Sequence, residues 1–148
     1  MTEIDELFSY IEKVYEDLYI CIYAKITKYE ALKDKIFRLI AGTKCSIIET
    51  IENFIILIPE DIKDIDELIL DLTEFTFYKN GQLQAHSNFL DGFNHLKFAV
   101  FMANYLEGTI SFFDEYDNRI GYKFTDDGVY RVIYVPVDKK LDMKTLDI

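Results

Sequence analysis

Two hydrophobic rhythms run along this chain. Ile4, Leu7, Phe8, Ile11, Val14, Tyr15 and Leu18 recur at helical spacing, with Glu3, Asp5, Glu6, Glu12, Glu16 and Asp17 between them. That pattern predicts an amphipathic helix over about Glu3–Asp17, preceded by Thr2 and Asp5 at capping-box spacing. From Leu18 to Ile26 the residues turn β-branched and aromatic, which favours a strand over a continued helix. Thr27-Lys28-Tyr29-Glu30 then repeats the capping-box spacing, and Tyr29, Leu32, Ile36, Leu39 and Ile40 follow at helical intervals. Gly42 stands where helices favour a terminating glycine, so a second helix is expected over about Lys28–Ala41.

Cys45 to Ile58 is apolar with a break at Glu52-Asn53, and Pro59 closes it. It reads as two short strands or one bent strand, while Ser46 and Glu49 leave a capped helix as the alternative. Ile62, Ile65, Leu68, Ile69 and Leu72 predict an amphipathic helix over Asp61–Leu72. Phe75 and Phe77 alternate with Thr76 and Tyr78, and Gln82-Leu83-Gln84-Ala85 alternates in return. Asn80-Gly81 between them predicts a hairpin with a type I′ turn. Asn88 to Leu106 is apolar nearly all round and predicts a buried helix, started near Gly92 and stopped by Gly108. Thr109–Phe113, Arg119–Phe124 and Val129–Val135 read as a three-stranded meander, with a polar, frayed tail from Asp138.

Helices and closely spaced strands are mixed along the chain, and few strands are separated by the long crossovers that parallel pairs need. The expected class is therefore α+β. One domain spans residues 1–148, with a mainly antiparallel sheet of about five to seven strands and helices packed mainly on one face. The length of 148 residues fits that size, and a chain that is 50% hydrophobic can build a core without disulfides or metal. Intrinsic disorder over most of the chain is excluded on the same grounds.

Charge adds the next constraint. The net charge is -11, from 27 acidic and 16 basic residues. The acids cluster: residues 1–20 carry -5 and residues 45–78 carry -8, while residues 21–44 carry +4. Arg38, Arg119 and Arg131 are the only arginines. This distribution argues against nucleic acid, which needs cations to displace counterions, and against an anionic membrane surface. It favours a basic protein partner, with ordinary solvated helix faces as the plainer reading. No apolar run approaches the ~18–20 residues of a membrane span, and the acidic N-terminus lacks the features of a secretory signal. Cys21 and Cys45 lie in apolar runs, outside any CxxC or Cys/His cluster. They read as buried reduced thiols, which suits a cytoplasmic compartment and offers no zinc site.

No motif specifies a chemistry. Ser9, Ser46, Ser87 and Ser111 lie in no nucleophile elbow, and the six glycines form no phosphate-binding loop. His86 and His95 are the only histidines, and Asp91 stands four residues before His95, on one face of the expected helix. A metal or acid–base set around His86, Asp91 and His95 is the enzymatic alternative; exposed and edge-of-core histidines are the structural one. Asp114-Glu115-Tyr116-Asp117-Asn118 offers oxygen ligands but lacks the spacing, glycine and terminal glutamate of a calcium loop, so it reads as an exposed turn. No cofactor is implied. The residues expected to meet a partner are the acids Glu60, Asp61, Asp64, Asp66, Glu67 and Asp71, and the turn and sheet residues Asp114, Glu115, Asp117, Tyr116 and Tyr122. Tyr78, Tyr130 and Tyr134 extend the aromatic set expected on the open face of the sheet.

In size, acidity, α+β order and poverty of catalytic residues, the chain resembles the small acidic immunity proteins of bacterial polymorphic and contact-dependent toxin systems. The segment from Gly108 to Phe124, with Ser111-Phe112-Phe113-Asp114-Glu115-Tyr116 at its turn, is similar to hairpins of small bacterial proteins. The resemblance implies a catalytically inert protein that binds one toxin domain, often a basic nuclease, and blocks its active site. The alternative is a self-associating module, a homodimer built on the sheet edge at Val129–Val135 or on the aromatic face.

Overall fold

The computed structural model describes residues 17–116, 119–134, 138 and 140. The helix expected over Glu3–Asp17 lies outside them, except for Asp17, which opens the first strand. Most of the tail from Asp138 also lies outside them.

Asp17–Ile26 forms strand β1, as its β-branched and aromatic content predicts. Leu18, Ile20 and Ile26 face the core, while Tyr19 and Tyr23 face outward. Helix α1, Tyr29–Ile40, buries Leu32, Ile36 and Ile40 on one stripe. The expected capping box is not formed: Lys28 is the N-cap and makes no side-chain cap bond. Thr27 instead donates its backbone N–H to the Tyr105 carbonyl at 2.9 Å, and Glu30 turns to Lys33 at 2.9 Å.

Strands β2 (Ser46–Glu49) and β3 (Asn53–Leu57) form a hairpin, the first of the readings open for that stretch. Helix α2 covers only Glu67–Leu72. The helix expected from Asp61 starts late because Asp64 takes a left-handed φ of 60° and the Asp66 carboxylate caps the Leu68 N–H at 2.8 Å. Strands β4 (Phe75–Tyr78) and β5 (Leu83–Ala85) form the expected hairpin, with a different turn. Of Asn80 and Gly81 only Gly81 has positive φ, +100°, and its N–H bonds the Tyr78 carbonyl at 3.0 Å. This is a three-residue loop closed by a glycine bulge, rather than a type I′ turn.

The apolar run Asn88–Leu106 is a correction. Phe89–Asp91 is strand β6, His95–Met102 is helix α3, and Leu106 begins strand β7, Leu106–Phe113. Asn94 caps α3 by accepting the Lys97 N–H at 3.0 Å. Gly108 stops no helix. It sits inside β7 at φ +117°, where a Cβ would lie 2.3 Å from the Tyr23 carbonyl oxygen of β1. Strands β8 (Arg119–Thr125) and β9 (Gly128–Ile133) complete the expected meander.

All pairings are antiparallel, and the class is α+β. The strands form two sheets rather than one, in the orders β6-β1-β7-β8-β9 and β2-β3-β4-β5. One segment serves both. Residues 83–85 pair with β4, and residues 89–91 pair with β1. Between and beside these, Gln82 bridges Lys25, and the N–H groups of Ile20 and Ile26 bond the carbonyls of Asn88 and Gly81. The sheets therefore close around one core.

That core is held by a chain of rings. Phe54 stacks on Phe77 at 4.8 Å and Phe75 on Phe98 at 4.9 Å; Phe93 meets Phe98 at 5.2 Å and Phe112 at 5.5 Å. Helix α3 thus bridges one sheet to the other. Each such pair contributes about 0.5–1.5 kcal/mol beyond the burial of its rings. No helix among the described residues is long and apolar enough to cross a membrane.

Candidate protein-binding surface

The acidic segment before and within α2 forms a ridge. Glu60, Asp61, Asp64, Asp66 and Glu67 are all exposed on it, as expected. Asp61 approaches Lys44 at 3.7 Å and Asp66 approaches Lys97 at 3.6 Å. Both pairs are solvent-exposed, so each contributes little. Glu60, Asp64 and Glu67 form no ion pair among the described residues.

The basic stretch of α1 does not offset this ridge. Lys33 is held by Glu30 and by both oxygens of Glu49, at 3.1 and 3.0 Å, and Tyr29 donates to Glu49 at 2.9 Å. Burial, followed by the Glu49 carboxylate, pushes the Tyr29 hydroxyl up to about 12. The hydrogen bonds from Lys33 and Tyr29 pull the Glu49 carboxyl below its usual range. Lys35 donates to the Phe101 carbonyl at 2.8 Å and lies over the Phe101 ring at 4.5 Å.

A cleft opens on either side of the ridge. The first, about 520 Å3, lies between the Gly42–Cys45 turn and residues 61–66; Leu39, Cys45, Ile62, Ile65 and Ile69 give it apolar walls. The second, about 470 Å3, is lined by Glu67, Asp71, Glu74 and Asp91 beside Leu70, Phe89 and Phe93, with no lysine or arginine. Glu74 and Asp91 were not among the expected partner-binding residues. Only the folding of β6 against α2 brings them to Glu67.

Three of the expected residues are buried instead. Asp71 is only 8% exposed, and its Oδ2 accepts the Asn94 N–H at 3.2 Å, so it ties α2 to the start of α3. Desolvation raises its carboxyl to about 6, with Glu67 and Glu74 adding to the shift. Asp114 is 2% exposed and accepts the Tyr116 N–H at 2.9 Å, a turn-forming role. Tyr122 is 1% exposed and points into the core, because β8 turns Ile120, Tyr122 and Phe124 inward. Asp117 lies outside the described residues. Glu115 and Tyr116 are exposed as expected, remote in sequence from the ridge.

The histidines do not assemble with Asp91. His86 is exposed and bonds Thr76 at 2.8 Å through Nε2. Asp91 is exposed on β6, so it shares no helix face with His95. His95 is buried, with Nδ1 2.6 Å from the Tyr122 hydroxyl. Cys21 and Cys45 are half-buried free thiols, less enclosed than their apolar neighbours imply.

The outer face of the five-stranded sheet carries the remaining aromatic feature. Phe89, Tyr19, Phe113, Arg119 and Tyr134 form a row: Tyr19 packs on Phe89 at 5.6 Å and on Phe113 at 5.3 Å, and Arg119 lies over Phe113 and Tyr134. Tyr23 is 79% exposed on the same face, and Tyr130 is half exposed. Comparison of the chain with protein-family models, with curated proteins and with solved structures finds no match.

Proposed function

We propose that this protein is a non-catalytic binding protein that holds a basic protein partner against the acidic ridge at α2. The observation that carries the reading is the asymmetry of charge pairing. The lysines of α1 are engaged within the fold, while Glu60, Asp64 and Glu67 stand exposed between two clefts. Such a surface steers a cationic partner to it and fixes its orientation. In the form that the immunity-protein resemblance implies, the partner is a toxin domain whose nucleic-acid-binding cleft is basic. The protein would then act in the cytoplasm.

The test is co-expression with the product of the neighbouring upstream gene. Toxicity of that product alone, rescue by this protein and co-elution of the two support the immunity reading. A harmless, non-binding product removes it. Binding that weakens steeply with salt supports the acidic ridge as the contact, since exposed charges are screened beyond ~10 Å at 0.1 M salt.

A second reading is self-association, favoured by β9. This strand ends its sheet order, so one of its long sides joins no ladder among the described residues. An exposed edge of this kind templates pairing with another chain. Sedimentation that shows a concentration-dependent mass, abolished by Tyr130→Glu, supports this reading; a monomer at high concentration removes it.

A further inference from the structure

We infer that the cleft between the Gly42–Cys45 turn and α2 receives an apolar side chain carried on a basic segment of a protein partner, an inference that rests on the acidic-ridge reading above and names what enters beside it. The cleft has the volume of a ligand site, about 520 Å3, within the ~300–1,000 Å3 typical of such sites. Its walls are Leu39, Cys45, Ile62, Ile65 and Ile69. An aliphatic or aromatic side chain entering it removes apolar surface from water on both partners.

Charge decides which segment carries that side chain. One wall carries Asp61, Asp64 and Asp66 with Lys63 among them, and Glu60 and Glu67 flank that stretch in sequence. The facing turn contributes Lys44, which already leans on Asp61 at 3.7 Å. An acidic segment would be repelled by Asp64, which lines the cleft and forms no ion pair among the described residues, and by Glu60 and Glu67 to either side of that wall in sequence. A basic segment pairs with them at the rim while its apolar residue fills the floor, the arrangement of buried anchor and polar surround that concentrates binding energy. Asp64 lines the opening in a left-handed backbone conformation, φ 60°.

Cys45 lines the cleft and Cys21 does not, so alkylation of the two thiols reads occupancy directly on the full chain. The probes are two hexapeptide amides, one with Leu-Phe between Lys-Arg and Arg-Lys, the other with Ser-Ser in place of Leu-Phe. At about 50 mM salt both are expected to bind in fluorescence anisotropy. Only the Leu-Phe peptide should slow Cys45 alkylation by iodoacetamide, by about tenfold, with the Cys21 rate unchanged. Cys45→Phe fills the floor and should weaken the Leu-Phe peptide alone. Asp64→Asn keeps a residue that tolerates the left-handed backbone and should weaken both. Binding of both peptides without protection of Cys45 overturns the anchor cleft and leaves the acidic ridge standing. Absence of binding by either peptide overturns the ridge and the cleft together.

Discussion

His95 Nδ1 lies 2.6 Å from the Tyr122 hydroxyl, and this contact ties the first turn of α3 to the middle of β8. Both side chains are buried, His95 tilted against Phe112 at 5.6 Å and Tyr122 edge-on to the same ring at 6.1 Å. The pair is a polar contact inside an aromatic core, where a hydrogen bond is worth most and its loss leaves a desolvated group behind. Tyr122→Phe keeps the ring and removes the hydroxyl. Urea unfolding should show a loss of about 1–2 kcal/mol, with an unchanged slope against denaturant.

Acid should act on this protein through two opposed groups. Burial lowers His95 from 6.5 to about 4, so between those values the unfolded chain binds the proton and the fold does not. Its contribution is full above pH 6.5 and declines as pH falls toward 4. Burial raises Asp71 from 3.8 to about 6, so the fold holds the proton over that range. Its contribution is full below pH 3.8 and is lost as pH rises through 6. The two slopes oppose between pH 4 and 6, and together they should flatten the stability curve there. Asp71→Asn retains an oxygen for the Asn94 N–H and removes the charge. It should stabilise the protein by about 1–2 kcal/mol at pH 7 and leave a curve that falls steadily on acidification. Chemical denaturation repeated across that range reads both effects.

Gly108 permits β1 and β7 to approach as closely as they do. An alanine there would set its Cβ 2.3 Å from the Tyr23 carbonyl oxygen and 2.8 Å from the Ala24 Cα, in a backbone conformation that strains any L side chain. Gly108→Ala should cost about 3 kcal/mol or more, or prevent folding, because neither neighbour is the free end of a side chain. Gly42→Ala meets nothing within 4 Å and should cost only its backbone strain, about 1 kcal/mol. Thermal unfolding of the two variants separates crowding from conformation.

Glu60→Gln, Asp64→Asn and Glu67→Gln alter exposed groups that form no ion pair among the described residues. Each should leave stability within about 0.5 kcal/mol. Combined, they should slow association with a basic partner by about tenfold, chiefly in the on-rate, and flatten its salt dependence. A stopped-flow measurement at two salt concentrations gives both quantities.

The sequence made the regular alternation legible and concealed what depends on distant contacts. Ile120, Tyr122 and Phe124 alternate cleanly, so β8 is readable, yet nothing local says which face turns inward. Tyr122 therefore reads as surface in the sequence, while in the fold it is buried against His95, 27 residues earlier in the chain. Phe89 and Leu90 are as apolar as Phe98 and Ala99, so a long hydrophobic run could not separate β6 from α3. Asp66 caps α2 and so shortens a helix whose apolar spacing began at Ile62. Among the acids, exposure was readable for Glu60 and Glu67 from their setting among other charges. Asp71 and Asp114 looked the same in sequence, but the backbone N–H groups of Asn94 and Tyr116 draw them inside.

The placement of β1 has a consequence for how the chain comes to be folded. β1 is made early, yet Tyr19 must find Phe113 and Phe89, and Ile26 must find Leu106. The β2-β3-β4-β5 layer needs only close neighbours and can form while synthesis continues. During that interval β1 emerges with both edges open and its aromatic side uncovered. Long-range pairings of this kind form slowly and leave strand edges exposed to other chains. A nascent chain that ends at Ser87, before β6, and is held on the ribosome through a flexible spacer long enough to bring β5 clear of the exit tunnel should therefore hold a protease-resistant β2–β5 layer beside a β1 that is still cut. Addition of the remaining strands should then protect β1 as well.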